Sequence, residues 1–228
     1  MFWDSTYILV LLGVVICAAA SGKVNRTYRK FSAVQGSRGF TAEAVAARIL
    51  HGAGIFDVRI EPIRGSLTDH YSPTEKVLRL SDGVYGSRSV AAIGIAAHEC
   101  GHAIQHHVGY GPLKLRSASV PIANIGSKLY WPLILLGLIM GLPALAQFGV
   151  LFFFFVVLFQ LITLPVEFNA SARALQVLRE ENLLLGAELD GAQTVLRAAA
   201  MTYVASLFSS ILQLLRLVLL TRNSRRRD

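Results

Sequence analysis

The chain has 228 residues, of which 54% are hydrophobic and only 16% are charged. A typical soluble domain carries about a quarter charged residues, so this composition argues against a wholly soluble protein. The formal net charge of +8 could indicate nucleic-acid binding, but the basic residues cluster beside apolar blocks, where Lys and Arg set membrane orientation. Two cysteines far apart in the chain make no disulfide framework. The sequence therefore predicts a membrane protein with no nucleic-acid partner.

The first predicted element, residues 1–22, contains an uncharged run of 18 residues, 5–22. A helix of that length spans roughly 27 Å, close to the thickness of the bilayer's hydrocarbon core. The run ends in small residues that resemble a signal-peptidase site, but the basic segment that should precede such a site is missing. No Lys or Arg precedes the run and five follow it by position 38. We therefore expect a transmembrane helix with its N-terminus outside and the next segment in the cytoplasm.

Residues 23–118 mix helical and strand patterns, which predicts a small cytoplasmic α+β domain. Its predicted elements are a helix at 41–50 after a capping Thr41, strands at 58–60 and 77–80 with a turn-rich segment at 68–74 between them, and a helix at 89–107. We also expect the strand at Leu78–Leu80 to be a sheet edge that receives substrate as an added strand.

A transmembrane hairpin is predicted at 119–166, because residues 129–166 contain no charged side chain. One helix of those 38 residues would be roughly 57 Å long, nearly twice the bilayer core, so two spans are needed. Gly141 and Pro143 mark the break. A hairpin returns the chain to the side it left, so we expect the following segment, 167–197, on the same face as 23–118.

The C-terminal segment, 198–228, combines an apolar helix with a basic tail. The run 198–215 is long enough to span, but crossing would place the four arginines found between 222 and 227 outside, against the positive-inside preference. A helix packed in the protein or lying at the interface is the alternative. The pattern slightly favours a fourth membrane-embedded helix, and its exit side stays open.

Chemistry is indicated by the sequence His-Glu-Cys-Gly-His at 98–102, on the helix predicted at 89–107. His98 and His102 are one turn apart on one face, with Cβ atoms about 6 Å apart, so both imidazoles can bind one zinc ion. Glu99 is rotated about 100° from His98, which suits a general base better than a ligand. A buried structural helix with satisfied histidines is the alternative, and the small residues around the motif weigh against it.

The best candidate for a third ligand is Glu167, because catalytic zinc sites commonly pair two histidines with a glutamate. It directly ends the uncharged run, where an ionisable residue needs a partner or a function. An interfacial ion pair with Arg173 is the alternative. His106 lies one further turn along the helix, about 12 Å from His98, too far to share an ion with it. Weaker candidates, on an ordinary charged helix surface, are Glu180, Glu181 and Glu188.

Five stretches carry a family resemblance that covers almost the whole chain. They are Leu67-Thr-Asp-His-Tyr71, Leu78-Arg-Leu-Ser81, Ala96-Ala-His-Glu-Cys-Gly-His-Ala-Ile-Gln105, Leu164-Pro-Val-Glu-Phe168 and Arg197-Ala-Ala-Ala-Met-Thr-Tyr203. Through them the sequence resembles the YugP-like neutral zinc metallopeptidases of bacterial membranes, related in organisation to HtpX-type proteases. The resemblance implies a gluzincin-like site with one Zn²⁺ per chain, His98, His102 and Glu167 as ligands, and Glu99 as catalytic base.

One departure from HtpX-type proteases concerns the residue that orients a metal-binding histidine. Those enzymes place an Asp one turn after the ligand Glu, whereas this chain has Ser171 there and Asn169 nearby. Ser171, Asn169 or a distant acid such as Asp69 could take the orienting role. His70 and Arg173 resemble residues that contact substrate or orient a ligand, and a structural role is the alternative for each.

The sequence thus predicts an α-helical membrane protein with a small α+β zincin-like cytoplasmic domain and a transmembrane hairpin between its metal ligands. The predicted function is a multi-pass zinc metalloendopeptidase of the bacterial plasma membrane, with the lipid bilayer and a peptide or protein substrate, membrane proteins included, as partners. The alternative is a non-catalytic zinc-containing scaffold or interaction protein. A transporter is disfavoured, because the hairpin contains no ionisable residue. The natural substrate and the oligomeric state are not predicted.

Overall fold

The computed structural model describes residues 5–224. This part of the chain is mostly helical, with six helices and one three-stranded sheet. In chain order the elements are α1 Tyr7–Ser32, α2 Ala42–Gly52, β1 Arg59–Ile63, β2 His70–Ser72, β3 Val77–Ser81, α3 Val90–His107, α4 Gly111–Ile139, α5 Pro143–Glu180 and α6 Ala187–Ser224.

Four of the described helices are long and apolar enough to cross a membrane: α1, α4, α5 and α6. The predicted break in the hairpin is confirmed, since α4 ends at Ile139 and α5 begins at Pro143. Gly141 between them has a φ of +64°, a left-handed conformation that glycine adopts without a steric penalty. The last apolar run also forms a helix of membrane-spanning length, and the prediction of its exit side stays open.

The contacts divide the chain into two compact units. The span unit comprises Met1–Ser21, Lys114–Leu164 and Thr202–Asp228, and the site unit comprises Gly22–Leu113 and Pro165–Met201. The span unit packs apolar side chains from α4, α5 and α6, among them Ile134, Phe153 and Leu207. Its buried Arg216 lies 4.1 Å from the centroid of the Tyr7 ring, a cation–π contact that accommodates a charge within an apolar helix.

In the site unit the sheet has the order β1-β3-β2. β1 pairs with β3 in parallel, with Ile60 opposite Leu78, and β2 pairs with β3 antiparallel, with Tyr71 opposite Leu78. The prediction that Leu78–Leu80 forms a sheet edge is therefore wrong, because β3 is the central strand. Leu78 and Leu80 are fully buried in the core. A short apolar pattern does not distinguish a buried central strand from an edge strand, which is why the prediction failed.

The site unit encloses one core of buried residues from α2, β3, α3, the end of α5 and the start of α6. The two predicted strands are present, as is the α2 helix, although Thr41 caps it without a side-chain hydrogen bond. The turn-rich segment contains the short strand β2, which is too short for any periodicity. At the start of α3, the Ser89 side chain accepts a hydrogen bond from the Ala92 amide, so Ser89 is the N-cap of this helix.

Candidate metal centre

Two helices of the site unit bring the candidate ligands together. α3 carries His98 and His102, and the second half of α5 carries Glu167. Gly101 allows the close approach of these helices: a Cβ placed on it would lie 3.0 Å from both the carbonyl carbon and the Cα of Ala170. Because no side chain fits there, glycine within the motif is what lets the α5 backbone come next to the histidine face.

Three ligand atoms converge at this crossing. The Glu167 Oε2 atom lies 3.3 Å from His98 Nε2 and 3.6 Å from His102 Nε2, and the possible ligand atoms of all three residues lie within 4.8 Å of one another. A tetrahedral zinc site with bonds of about 2.05 Å has ligand-to-ligand distances of about 3.3 Å. The donor set of two imidazoles and one carboxylate, at these spacings, fits Zn²⁺.

Hydrogen bonds hold both imidazoles with Nε2 turned toward Glu167. His98 Nδ1 lies 3.0 Å from Ser171 Oγ, and His102 Nδ1 lies 3.1 Å from Gln105 Oε1. The Gln105 amide nitrogen donates to the Val166 carbonyl at 2.8 Å, which fixes the orientation of the amide. Since Gln105 Oε1 can only accept, His102 Nδ1 must carry the proton, and the Nε2 lone pair of the neutral imidazole is left for a metal.

Gln105 belongs to a buried polar chain that sequence reasoning missed as part of the site. It is 0% exposed, and its amide nitrogen also lies 3.0 Å from Asn169 Oδ1, which in turn accepts a hydrogen bond from Arg173 Nε at 2.8 Å. A fully buried amide must find partners. The signal in the sequence was its position, three residues after His102 and thus on the same helix face.

The electrostatic field at the crossing favours a cation. Burial alone would lower the pKa of His102, but its hydrogen bond with the Glu167 carboxylate and the nearby charges of Glu99 and Glu167 raise that pKa above the ordinary value of a histidine. Glu167 is only 3% exposed. The negative charge that favours a proton on His102 beside the Glu167 carboxylate also favours a divalent cation between these two side chains.

Glu99 points toward the sheet. One of its carboxylate oxygens, Oε2, accepts a hydrogen bond of 3.0 Å from the backbone amide of Tyr71 in β2. The Tyr71 ring extends along α3, and its hydroxyl lies 2.9 Å from His106 Nδ1. Burial and the charge of Asp57 raise the pKa of Tyr71, so its hydroxyl stays protonated. The backbone amide and the side-chain hydroxyl of Tyr71 thus contact α3 at two positions, Glu99 and His106.

The remaining predicted site residues make other contacts. Both carboxylate oxygens of Asp69 accept hydrogen bonds from Ser81 at the end of β3, and His70 Nδ1 lies 2.8 Å from the Thr68 carbonyl. Arg173 bonds to Asn169 and lies over the Tyr110 ring, and no ion pair joins it to Glu167 among the described residues.

Cys100 stands inside the motif but faces the core. Its side chain is fully buried, and its Sγ atom lies 3.6 Å from the Ala46 carbonyl. Burial raises the pKa of the thiol well above its usual range. A thiol that stays protonated is a poor metal ligand, so Cys100 acts as a small apolar residue.

Comparison with known proteins agrees with this geometry. The family model described as "Putative neutral zinc metallopeptidase" matches residues 6–222. The chain belongs to this family. A curated relative, "Putative membrane protease YugP" of Bacillus subtilis (strain 168), is 47% identical over 206 residues, which cover 90% of this chain and 92% of the relative. No solved structure matches. The predicted resemblance is thereby confirmed. The family description supports zinc as the metal, and the four long apolar helices, together with a relative named as a membrane protease, support a membrane protein.

Proposed function

We propose that this protein is a membrane zinc endopeptidase that hydrolyses peptide bonds on the cytoplasmic side. The observation that carries the proposal is the convergence of His98, His102 and Glu167 on one point, with Glu99 in the helical position between the two histidines. A structural zinc site normally closes with four protein ligands. Here three converge and an additional carboxylate stands beside them, which is the arrangement of a hydrolytic site.

Zinc, when bound, supplies a Lewis acid that makes water more acidic and polarises the scissile carbonyl. The residues of the chain do the rest. Glu99 takes a proton from the attacking water and delivers it to the leaving amine, so one carboxylate serves as base and then as acid. The Tyr71 amide holds Oε2 of Glu99, and the other oxygen is available for this transfer.

The cytoplasmic assignment rests on charge. Lys23, Arg26, Arg29 and Lys30 follow directly on the apolar run of α1, and the segment before that run has no Lys or Arg. Because basic residues flanking a span stay on the cytoplasmic side, the positive-inside preference supports a cytoplasmic site unit.

Two variants test the proposal in the detergent-purified full-length protein. We expect Glu99→Gln to retain about one zinc per chain and to lose cleavage of a labelled unfolded protein by at least roughly 100-fold. We expect Glu167→Ala to lose zinc, because removing one of three ligands leaves two imidazoles. Glu180→Gln removes an exposed carboxylate at the end of α5, the helix that carries Glu167. It is the matched control and should behave as wild type.

The outcomes separate the alternatives. An active Glu99→Gln protein would exclude Glu99 as the base. A folded wild type that binds no zinc would favour the non-catalytic scaffold. Zinc retained in Glu167→Ala would assign the third ligand to another residue while leaving the peptidase proposal in place.

A further inference from the structure

A groove in the site unit lies beside the metal centre and takes no part in the proposed reaction. Its cavity volume is about 630 Å³, and it is formed by the start of the site unit in α1 together with parts of α5 and α6. Apolar side chains dominate its wall. Those that matter here are Phe168, Leu175, Leu196 and Met201.

The charges that line the groove are both positive. They belong to Lys23 in α1 and Arg197 in α6, and no acidic residue of the described part of the chain lines the groove. Within residues 5–224, neither cation forms an ion pair with a carboxylate. The polar side chains of Gln193 and Thr194 add hydrogen-bonding groups. An apolar cleft with two such cations complements a ligand that is apolar at one end and anionic at the other.

The position of the groove along each helix indicates where such a ligand comes from. In α1 the uncharged run 5–22 ends immediately before Lys23, and in α6 the uncharged run 198–215 begins immediately after Arg197. In α5 the uncharged run ends at residue 166, two positions before Phe168. Three separate helices therefore place their groove residues at the end of an apolar run, where Lys and Arg reach lipid headgroups.

We propose that this groove binds one anionic phospholipid of the surrounding leaflet. Lys23 and Arg197 bind its phosphate, and an acyl chain lies against the apolar wall. A lipid is favoured over a protein partner by the volume, which suits a small amphiphile. The anionic lipids of the cytoplasmic leaflet supply the matching charge.

Lipid binding to the delipidated full-length protein tests the proposal. The protein in detergent is titrated with phosphatidylglycerol or with phosphatidylcholine of the same acyl chains, and bound lipids are counted by native mass spectrometry. We expect phosphatidylglycerol to bind at least roughly tenfold more tightly, and the double variant Lys23→Gln/Arg197→Gln to lose roughly 10- to 30-fold in affinity. The control Arg64→Gln/Arg179→Gln removes two exposed arginines outside the groove and should bind as wild type.

A second variant separates shape from charge. Ala172→Trp fills the groove and keeps both cations, and we expect it to exclude the lipid as well. If thermal unfolding shows that Lys23→Gln/Arg197→Gln does not fold, Ala172→Trp still tests the proposal. Equal binding of the two lipids would overturn the proposal, and so would unchanged phosphatidylglycerol binding in a folded variant of either kind. Variants that keep the lipid but lose binding of a labelled peptide would assign the groove to a polypeptide and overturn it equally.

Discussion

At the scale of single residues, the hydrogen bond between Ser171 and His98 decides how firmly the first histidine is oriented. The hydroxyl oxygen lies 3.0 Å from Nδ1, on the side of the ring away from Glu167. A carboxylate in this position would accept a stronger, charge-assisted hydrogen bond and raise the basicity of the imidazole. Ser171 is therefore a neutral hydrogen-bond partner of His98.

We expect Ser171→Ala to weaken zinc binding about 10- to 100-fold, because the His98 ring loses its acceptor. Ser171→Asp restores an acceptor and should bind zinc at least as tightly as wild type. The measurement is competition with a chelator of known zinc affinity in the purified protein. Ser66→Ala, in an exposed loop, is the control for loss of a hydroxyl. Equal affinities of the alanine and aspartate variants would contradict an orienting role for Ser171.

The sequence could predict some of these residue contacts and not others. The convergence of His98 and His102 follows from helix geometry alone, since i and i+4 always share a face. The hydrogen bond that His102 donates to Gln105 is equally local, but the partner that orients this amide, the Val166 carbonyl, lies 61 positions away. The Tyr71 amide bound to Glu99 is 28 positions away and in a strand of three residues. Contacts of that kind depend on tertiary packing, which no local pattern encodes.

At the scale of elements, the site depends on how closely α5 approaches α3. The distances from Glu167 to the two imidazoles require the Ala170 backbone to lie against Gly101. The chain order predicted that Glu167 returns to the motif, because a hairpin brings the chain back to one face. It could not predict the separation of the two helices, which is set by the absence of a single Cβ.

We expect Gly101→Ala to force the two helices apart and to abolish or greatly weaken zinc binding. The added methyl meets backbone atoms that cannot rotate away, so overpacking should cost about 1–3 kcal/mol of unfolding free energy. Thermal unfolding and zinc content of the purified protein measure both effects.

Gly22→Ala is the matched control for a glycine within a helix. A Cβ at Gly22 meets nothing within 4 Å, so helix propensity alone should make this variant more stable, by about 0.5–1 kcal/mol. A Gly101→Ala protein with wild-type zinc affinity would show that close approach of α5 is not required at the site.

At the scale of the whole molecule, chain order and hydropathy predict how many times the chain crosses the membrane before each part of the site. α1 precedes the motif helix, and the hairpin α4–α5 lies between the motif and Glu167. If α1 crosses once and α4 and α5 cross out and back, the motif in α3 and Glu167 lie on the same side of the membrane, whichever side that is. The convergence of His98, His102 and Glu167 within one compact unit requires the same arrangement. Hydropathy and the convergence of the three ligands therefore both predict an even number of crossings between the motif and Glu167.

Labelling of single cysteines tests on which side of the membrane the site lies, and whether an even number of crossings separates its two parts. In a Cys17→Ala background, with Cys100 buried, we expect Ser66→Cys and Arg179→Cys to resist a membrane-impermeant maleimide in intact cells and to react after permeabilisation. Met140→Cys, in the exposed turn between α4 and α5, should react in intact cells. Labelling of Ser66→Cys and Arg179→Cys from opposite sides would be incompatible with one site built from both segments. Labelling of both from outside would keep the site but reverse the orientation, because the basic residues after α1 would then be extracellular.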